Sequence, residues 1–159
     1  AIVEAVESFT GLAHRIEPAG EKGGVAFYDD SKGTNVSAVV RALEAFEAPV
    51  ILLMGGRDKN GDFETLEPLI RRRVKEMVLF GEARGRIDER VGGLVKTQTA
   101  ATLVEAVRTA YDDAAPGDVV LLSPGCASFD EFRSYAHRGD VFKETVNRLE
   151  DRKTATRRN

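Results

Sequence analysis

Three uninterrupted apolar runs, separated by helix-like stretches, constrain the fold of this chain more than any other feature. The runs are VILLM (50–54), MVLF (77–80) and VVLLS (119–123). Strands that are apolar on both faces are typical of a parallel sheet covered by helices on both sides. The alternation therefore predicts an α/β fold: a single Rossmann-like domain with a mostly parallel sheet and helices on both faces.

The remaining elements follow from the same periodicities. We predict further strands at 12–17, 25–28 and 94–96, and helices at 1–9, 34–46, 64–73, 83–90, 100–113 and 129–149. Gly139 is a point where the last helix could break. The chain opens on Ala1, already in a helical pattern and without an N-cap residue, which favours a piece cut from a longer protein. We assign 1–149 to the domain and 150–159 to a charged, disordered tail.

Composition excludes several classes of protein. One cysteine in 159 residues rules out an internal disulfide framework and favours a reducing, cytoplasmic compartment. The apolar runs are far shorter than the roughly 20 residues of a membrane span. The net charge is −3, and the basic tail lacks interleaved aromatic residues, so neither a membrane nor a nucleic-acid partner is expected. We expect a monomer.

Polar residues crowd the points where three predicted strands end. DDSKGTN (29–35) follows VAFY, GGRDKNGDF (55–63) follows VILLM, and PGCASFDEF (124–132) follows VVLLS. In parallel sheets, ligands bind beyond the carboxyl ends of the strands. These segments hold carboxylates, lysines, hydroxyls and glycines, and we expect the functional site at this edge.

Local chemistry alone leaves the role of each segment open. Lys59 follows two glycines and could bind a carboxylate or a phosphate, but a solvated lysine after a turn is equally compatible. Ser128 could help to hold an anion at a helix N-terminus, or simply cap that helix. Cys126 is interpreted as a buried thiol rather than a nucleophile. The sequence contains neither G-x-x-x-x-G-K-[ST] nor G-x-G-x-x-G, so a self-sufficient nucleotide site is not supported.

Together, three motifs resemble the Mur ligases, and within that family the branch that adds D-glutamate. They are DSKGTN (30–35), GGRDKNGDF (55–63), and LSPGCASFDEF (122–132) with RGDVF (138–142), in matching order and spacing. The resemblance implies an ATP-dependent, amide-forming ligase of peptidoglycan precursor synthesis. In such a ligase, ATP phosphorylates the carboxylate of UDP-N-acetylmuramoyl-L-alanine, and the amine of D-glutamate attacks the acyl phosphate.

The resemblance covers only the C-terminal of the family's three domains. It implies that the phosphate-binding loop and the ligands of the Mg ion that accompanies ATP belong to the central domain, and the nucleotide-sugar site to the first. A chain consisting of the C-terminal domain is expected to be inactive alone. Its contribution would be to supply the D-glutamate pocket and to close over ATP.

The resemblance also implies which residues bind D-glutamate. Lys59 is similar to a lysine that pairs with a D-glutamate carboxylate, and Thr34 to a further donor. Ser128 and the backbone amide of Phe129 resemble its hydroxyl and N–H donors. Tyr135 falls where the family usually has a phenylalanine lining that pocket, and it is one of several departures from the family pattern.

A second set of residues is implied to bind the nucleotide. Asp30 resembles an acid that binds the ribose, and Lys32 a phosphate contact. The pair formed by His14 and Arg15 matches a basic pair near the nucleotide. Two other readings stay open: a Mur ligase with another amino-acid specificity, and a non-catalytic α/β module that binds an anion or a partner protein.

Overall fold

A single mixed sheet forms the centre of the computed structural model, which describes residues 12–152. Its strands lie in the order β1-β2-β6-β3-β4-β5; β1 pairs with β2 antiparallel, and every other pairing is parallel. The strands are β1 (Glu17–Lys22), β2 (Val25–Asp29), β3 (Val50–Gly55), β4 (Val74–Phe80), β5 (Lys96–Ala100) and β6 (Val119–Leu122). The helices are α1 (Val36–Glu44), α2 (Glu67–Arg73, preceded by a 3₁₀ turn at Phe63–Leu66), α3 (Arg84–Val91), α4 (Leu103–Asp113) and α5 (Tyr135–Arg148).

The helices cover both faces of the sheet, and each face has its own apolar core. On one face α1, α2 and α3 pack against the sheet, with Leu43, Ile70 and Ile87 fully buried. On the other face α4 and α5 contribute Val107 and Phe142 to the second core. All six residues of β3, one of the two central strands, are buried. The prediction of an α/β domain with a mostly parallel sheet covered on both faces is confirmed.

The first described strand begins five residues later than predicted. We expected a strand at 12–17, but residues 13–16 form turns, and β1 starts at Glu17 and forms a hairpin with β2. His14 and Ile16 both have positive φ angles, 65° and 44°, which a strand excludes. Their backbones instead bond to the segment after β2: Lys32 N donates to the His14 carbonyl, and Ile16 N donates to the Asp30 carboxylate.

The last helix is shorter than predicted and does not break at Gly139. It begins at Tyr135, where the Ser134 hydroxyl accepts the His137 amide at 3.0 Å as an N-cap. Residues 129–134 are turns, held by amides that donate to the Ser128 carbonyl. Gly139 lies within the helix at a point where the His14 ring packs so closely that a Cβ would overlap it. The glycine therefore permits close packing and does not end the helix.

Two more strand boundaries differ where polar residues interrupt the apolar pattern. β4 starts directly at the end of α2 and includes Glu76, which is 1% exposed and accepts a hydrogen bond from Gln98 at 2.8 Å. Burial raises the pKa of Glu76. β5 is an edge strand with partly exposed, mostly polar residues, so its sequence carries little apolar signal.

The predictions at the two ends of the chain fall largely outside the described residues. The opening helix at 1–9 lies wholly there, as do residues 153–159 of the predicted tail. Residues 150–152 contact the domain, where the Tyr111 hydroxyl donates to the Glu150 carbonyl at 2.7 Å. Among the helices formed by residues 12–152, none combines the length and the apolar character needed to cross a membrane.

A glycine at the end of β3 provides a test of how tightly the sheet edge is packed. Gly55 has a φ of 151°, and a Cβ there would overlap the Phe80 carbonyl. We expect Gly55→Ala to lower the free energy of unfolding by roughly 2–4 kcal/mol, through overlap and backbone strain. Gly85→Ala is the control, because it lies in α3 with open space around it. Equal denaturant midpoints for the two variants would contradict the packing argument.

Candidate functional site at the carboxyl edge of the sheet

The functional edge consists of three segments that follow β2, β3 and β6, which are neighbours in the sheet. We call them the first loop (30–35), the second loop (56–62) and the third loop (123–134). The Gly125 amide of the third loop donates to the Gly33 carbonyl of the first loop at 3.0 Å. Arg57 and Ala127 exchange two backbone hydrogen bonds of 2.8 and 3.0 Å, which join the second and third loops. The three segments thus meet at one edge, as predicted.

A buried arginine fastens the first loop to the third. Arg138 projects from α5 and is 0% exposed. Its Nε donates to the Ser31 hydroxyl at 2.8 Å, one terminal nitrogen to the Ser31 carbonyl at 2.7 Å, and the other to the Cys126 carbonyl at 3.0 Å. Burial lowers the pKa of Arg138 to about 10, so the guanidinium remains charged at neutral pH.

Sequence reasoning assigned no role to Arg138, although a signal was present. Tyr135, Arg138, Phe142 and Val146 recur at spacings of three and four, and the last three are fully buried in the structure. An arginine in the buried stripe of a helix must find hydrogen-bond acceptors inside the protein. This spacing would have identified Arg138 as a buried residue with hydrogen-bond partners inside the protein.

The first cavity brings two predicted amino-acid-binding residues together. It has a volume of about 420 Å³, and Thr34, Lys59 and Gly125 lie in its wall, one from each loop. Within residues 12–152, no carboxylate lies within 4.0 Å of the Lys59 ammonium. The neighbouring Asp58 is already engaged with Arg86 at 2.6 Å. Within the described part of the chain, the cavity therefore presents a lysine ammonium without a carboxylate partner.

The other three residues predicted to bind the amino acid lie outside the wall of the first cavity. Ser128 is 2% exposed, and its carbonyl accepts amide hydrogens from the turn that follows. The Phe129 side chain is 62% exposed at the surface. Tyr135 begins α5, and its hydroxyl lies 3.2 Å from the Lys32 ammonium. The roles of these three residues stay predictions.

The second cavity contains three of the four residues predicted to bind a nucleotide. It has a volume of about 270 Å³, and Arg15, Asp30 and Lys32 line it. Asn35 lines both cavities, so the two spaces are adjacent. Three cations, Arg15, Lys32 and Arg41, and one acid around a shared space are suited to a ligand that carries both phosphate and hydroxyl groups.

Asp30 is the acid of the second cavity and is only 5% exposed. One carboxylate oxygen accepts the Ile16 amide at 3.2 Å, and the other accepts the Ser123 hydroxyl at 2.9 Å. Burial raises the pKa of Asp30 to about 6, and these hydrogen bonds only partly offset that effect. The carboxyl group is therefore mostly ionised at pH 7.5.

His14, the fourth predicted nucleotide residue, does not line the second cavity. Its Nδ1 lies 2.7 Å from a carboxylate oxygen of the buried Asp29, and its Nε2 lies 3.6 Å from Asp140. The two left-handed residues His14 and Ile16 flank Arg15, so a strained turn presents Arg15 to the cavity. In this structure His14 holds the turn that carries Arg15.

The ligand atoms of His14, Glu17 and Asp29 lie within 4.8 Å of one another, a grouping that could hold a metal ion. Each member already has partners. His14 Nδ1 bonds to Asp29, while a Glu17 carboxylate oxygen accepts the His14 amide at 3.0 Å and the Lys143 ammonium at 3.0 Å. The geometry is that of an internal network anchoring the turn to β1, β2 and α5.

Cys126 fits its interpretation as a buried thiol. It is 1% exposed, and burial raises its pKa to about 12. A thiol that stays protonated at physiological pH is a poor nucleophile. Its backbone carbonyl, rather than its sulfur, takes part in the functional edge through Arg138.

Comparison with known proteins places these features in a family. Residues 14–126 match the family model described as "Mur ligase, glutamate ligase domain". The chain is 62% identical over 145 residues to UDP-N-acetylmuramoylalanine--D-glutamate ligase of Syntrophus aciditrophicus, which covers 91% of the chain. It is 51% identical to the protein of the same name from Geotalea daltonii, again over 91% of the chain. The chain spans about a third of the length of these relatives, 32% in both cases.

A solved structure supports the fold. The bifunctional folylpolyglutamate synthase/dihydrofolate synthase from Yersinia pestis superposes with a TM-score of 0.63. The match covers 87% of this chain and 32% of that one, at 18% identity. At this level of identity, the likeness concerns the arrangement of strands and helices.

Asp30 also predicts a pH dependence of stability. Its folded pKa of about 6 is above the ordinary 3.8, so its protonated form is favoured on folding. The resulting stabilisation is complete below pH 3.8 and is lost as pH rises through 6. We expect Asp30→Asn to be more stable than wild type above pH 6, by about 1–3 kcal/mol, with the difference shrinking towards pH 4. Urea unfolding at several pH values measures this.

Asp112→Asn controls for loss of charge alone, because Asp112 is exposed on α4. A destabilised Asp30→Asn protein at pH 7.5 would contradict the assignment of a burial cost to the carboxylate.

Proposed function

We propose, because this chain belongs to the Mur ligase family, that it is the C-terminal domain of a cytoplasmic, monomeric, ATP-dependent ligase that adds D-glutamate to UDP-N-acetylmuramoyl-L-alanine. The main supporting observation is that three chain-distant loops meet around the first cavity, where Lys59 has no carboxylate partner among residues 12–152, and that a second cavity with Arg15, Asp30 and Lys32 lies beside it. The names of the relatives at 62% and 51% identity support D-glutamate as the amino acid.

In this proposal the first cavity receives D-glutamate. The Lys59 ammonium pairs with one of its carboxylates, and the Thr34 hydroxyl donates a further hydrogen bond. Ser128 and the Phe129 amide would join them if the third loop moves on ligand binding. Holding the amine against the activated carboxyl group is the main contribution, since a bound nucleophile reacts at a far higher effective concentration than a free one.

The second cavity receives part of ATP. The Asp30 carboxylate, ionised at pH 7.5, can accept hydrogen bonds from ribose hydroxyls, while Arg15 and Lys32 supply positive charge for phosphates. Phosphoryl transfer depends mostly on positioning and charge neutralisation. The ligands of Mg and the main phosphate-binding loop are expected in a central domain, against which this one closes and excludes water.

A ligation assay on the complete enzyme tests the proposed function. With ATP and UDP-N-acetylmuramoyl-L-alanine present, D-glutamate should support product formation, whereas L-glutamate, D-aspartate and L-lysine should not. Product with another amino acid in place of D-glutamate would assign a different specificity within the family. A coding sequence without a G-x-x-x-x-G-K-[ST] loop upstream of this chain would instead favour a non-catalytic module.

The chain alone is expected to be inactive. Incubation of the 159-residue chain with ATP, D-glutamate and UDP-N-acetylmuramoyl-L-alanine should release phosphate only at the background rate. The reason is that the groups which bind the nucleotide sugar and the metal belong to the other proposed domains. Phosphate release by the purified chain, well above that of a no-protein control, would contradict the proposal that the reaction requires the other domains.

Lys59 should control the affinity for D-glutamate. Lys59→Ala in the complete enzyme is expected to raise the KM for D-glutamate roughly ten- to a hundredfold, because a lost charge-assisted hydrogen bond costs about 1.5–3 kcal/mol. Steady-state kinetics at saturating ATP measure the change.

Lys75→Ala is the matched control for Lys59→Ala. It removes a lysine at the opposite end of the sheet, where Lys75 pairs with Asp118 at 2.6 Å. An unchanged KM for D-glutamate in Lys59→Ala would show that Lys59 does not bind this substrate.

A further inference from the structure

We propose that Tyr135 is a positioning residue for the nucleotide, and that it acts by holding the Lys32 ammonium at the second cavity. Its hydroxyl lies 3.2 Å from Lys32 Nζ, and the same nitrogen lies 5.0 Å from the centre of the Tyr135 ring. The inference rests on the proposed function, since it takes the ligand of the second cavity to be a nucleoside triphosphate. It assigns Tyr135 to the nucleotide side of the site, in contrast to the family resemblance.

The Lys32 side chain is partly buried, and within residues 12–152 it forms no ion pair with an acid. Among the described residues, no carboxylate lies within 4.0 Å of Nζ, although Asp30 lines the same cavity. The partners of the ammonium are the oxygen and the ring face of Tyr135. Both attract a cation without cancelling its charge. An ammonium held in this way stays available to an anion.

Tyr135 is itself fixed relative to the first loop. It is the first residue of α5, and its carbonyl accepts the Ser31 hydroxyl at 2.7 Å. Its ring packs edge-on against the His14 ring, with centroids 6.1 Å apart. One turn along the helix, Arg138 binds Ser31 as well. The phenol is therefore anchored to the backbone next to Lys32 from several sides.

Ordering the Lys32 side chain before the ligand binds would increase the affinity for the ligand. A lysine has four rotatable bonds and loses considerable conformational entropy when a ligand fixes its end. If the hydroxyl already holds the ammonium beside the cavity, part of that cost is met on folding and binding is tighter. A phenylalanine would keep the ring face but lose the hydrogen bond, which makes Tyr135→Phe a specific probe.

The experiment compares Tyr135→Phe with wild type in the complete ligase, with KM measured separately for ATP and for D-glutamate. Loss of one ordinary hydrogen bond corresponds to about a two- to tenfold change in affinity. We expect the KM for ATP to rise by that factor, and the KM for D-glutamate and kcat to stay unchanged. Calorimetric titration with a non-hydrolysable ATP analogue should show the same shift.

A double-mutant cycle separates positioning from a purely structural role. In a Lys32→Met background, adding Tyr135→Phe should have no further effect on ATP binding, because the group that the hydroxyl holds has been removed. The cycle stays readable if Tyr135→Phe lowers stability, since both tyrosine variants share that loss. Tyr111→Phe is the matched control: it also deletes a bonded hydroxyl, but at the contact with Glu150 far along α4.

The outcomes are distinct. A raised KM for ATP that disappears in the Lys32→Met background supports the inference. A raised KM for D-glutamate with an unchanged KM for ATP overturns it and supports the assignment from the family resemblance. Additive effects of the two substitutions also overturn it. A wild-type enzyme that fails to ligate D-glutamate overturns the proposed function and this inference together, whereas an active wild type with a kinetically silent Tyr135→Phe overturns the inference alone.

Discussion

Arg138 reaches from α5 into the interior between the first and third loops, where its guanidinium donates three hydrogen bonds to Ser31 and Cys126. A fully buried cation is costly unless its donors are satisfied, and here a hydroxyl and two backbone carbonyls accept from it. These acceptors belong to two loops that are far apart in the chain. The charge can therefore be stable only when both loops are in place, which makes the shape of the functional edge part of the folded state.

At the same edge, the acidic side chains are buried and hydrogen-bonded, whereas the lysines lie at the cavities. Buried acids, Asp29 and Asp30, have raised pKa values and hydrogen-bond to neighbouring residues, so they hold the first loop and the turn at His14 in position. The lysines at the cavities, Lys32 and Lys59, have no carboxylate partner within the described part of the chain. An edge whose buried acids are bonded internally, and whose cavity lysines have no carboxylate partner among the described residues, is suited to anionic ligands such as those proposed above.

The sequence predicts the architecture well because parallel strands buried on both faces leave continuous apolar runs such as VILLM. It also predicts the edge at which the three loops meet, and the two cavities contain five of the nine proposed site residues. Its failures have physical causes. β5 is a polar edge strand, Gly139 is required by contact with His14 and not by a helix end, and positive φ angles at His14 and Ile16 carry no periodic signal. Side-chain direction decides the rest, as Tyr135 illustrates by bonding Lys32.

Asn35 lines both cavities and at the same time caps α1, where its side-chain oxygen accepts the Ala38 amide at 2.9 Å. A side chain committed to a helix end cannot swing aside without uncovering that amide. This bond restrains the Asn35 side chain between the two cavities. If each cavity receives a ligand as proposed, the N-terminus of α1 helps to set the distance between the two ligands.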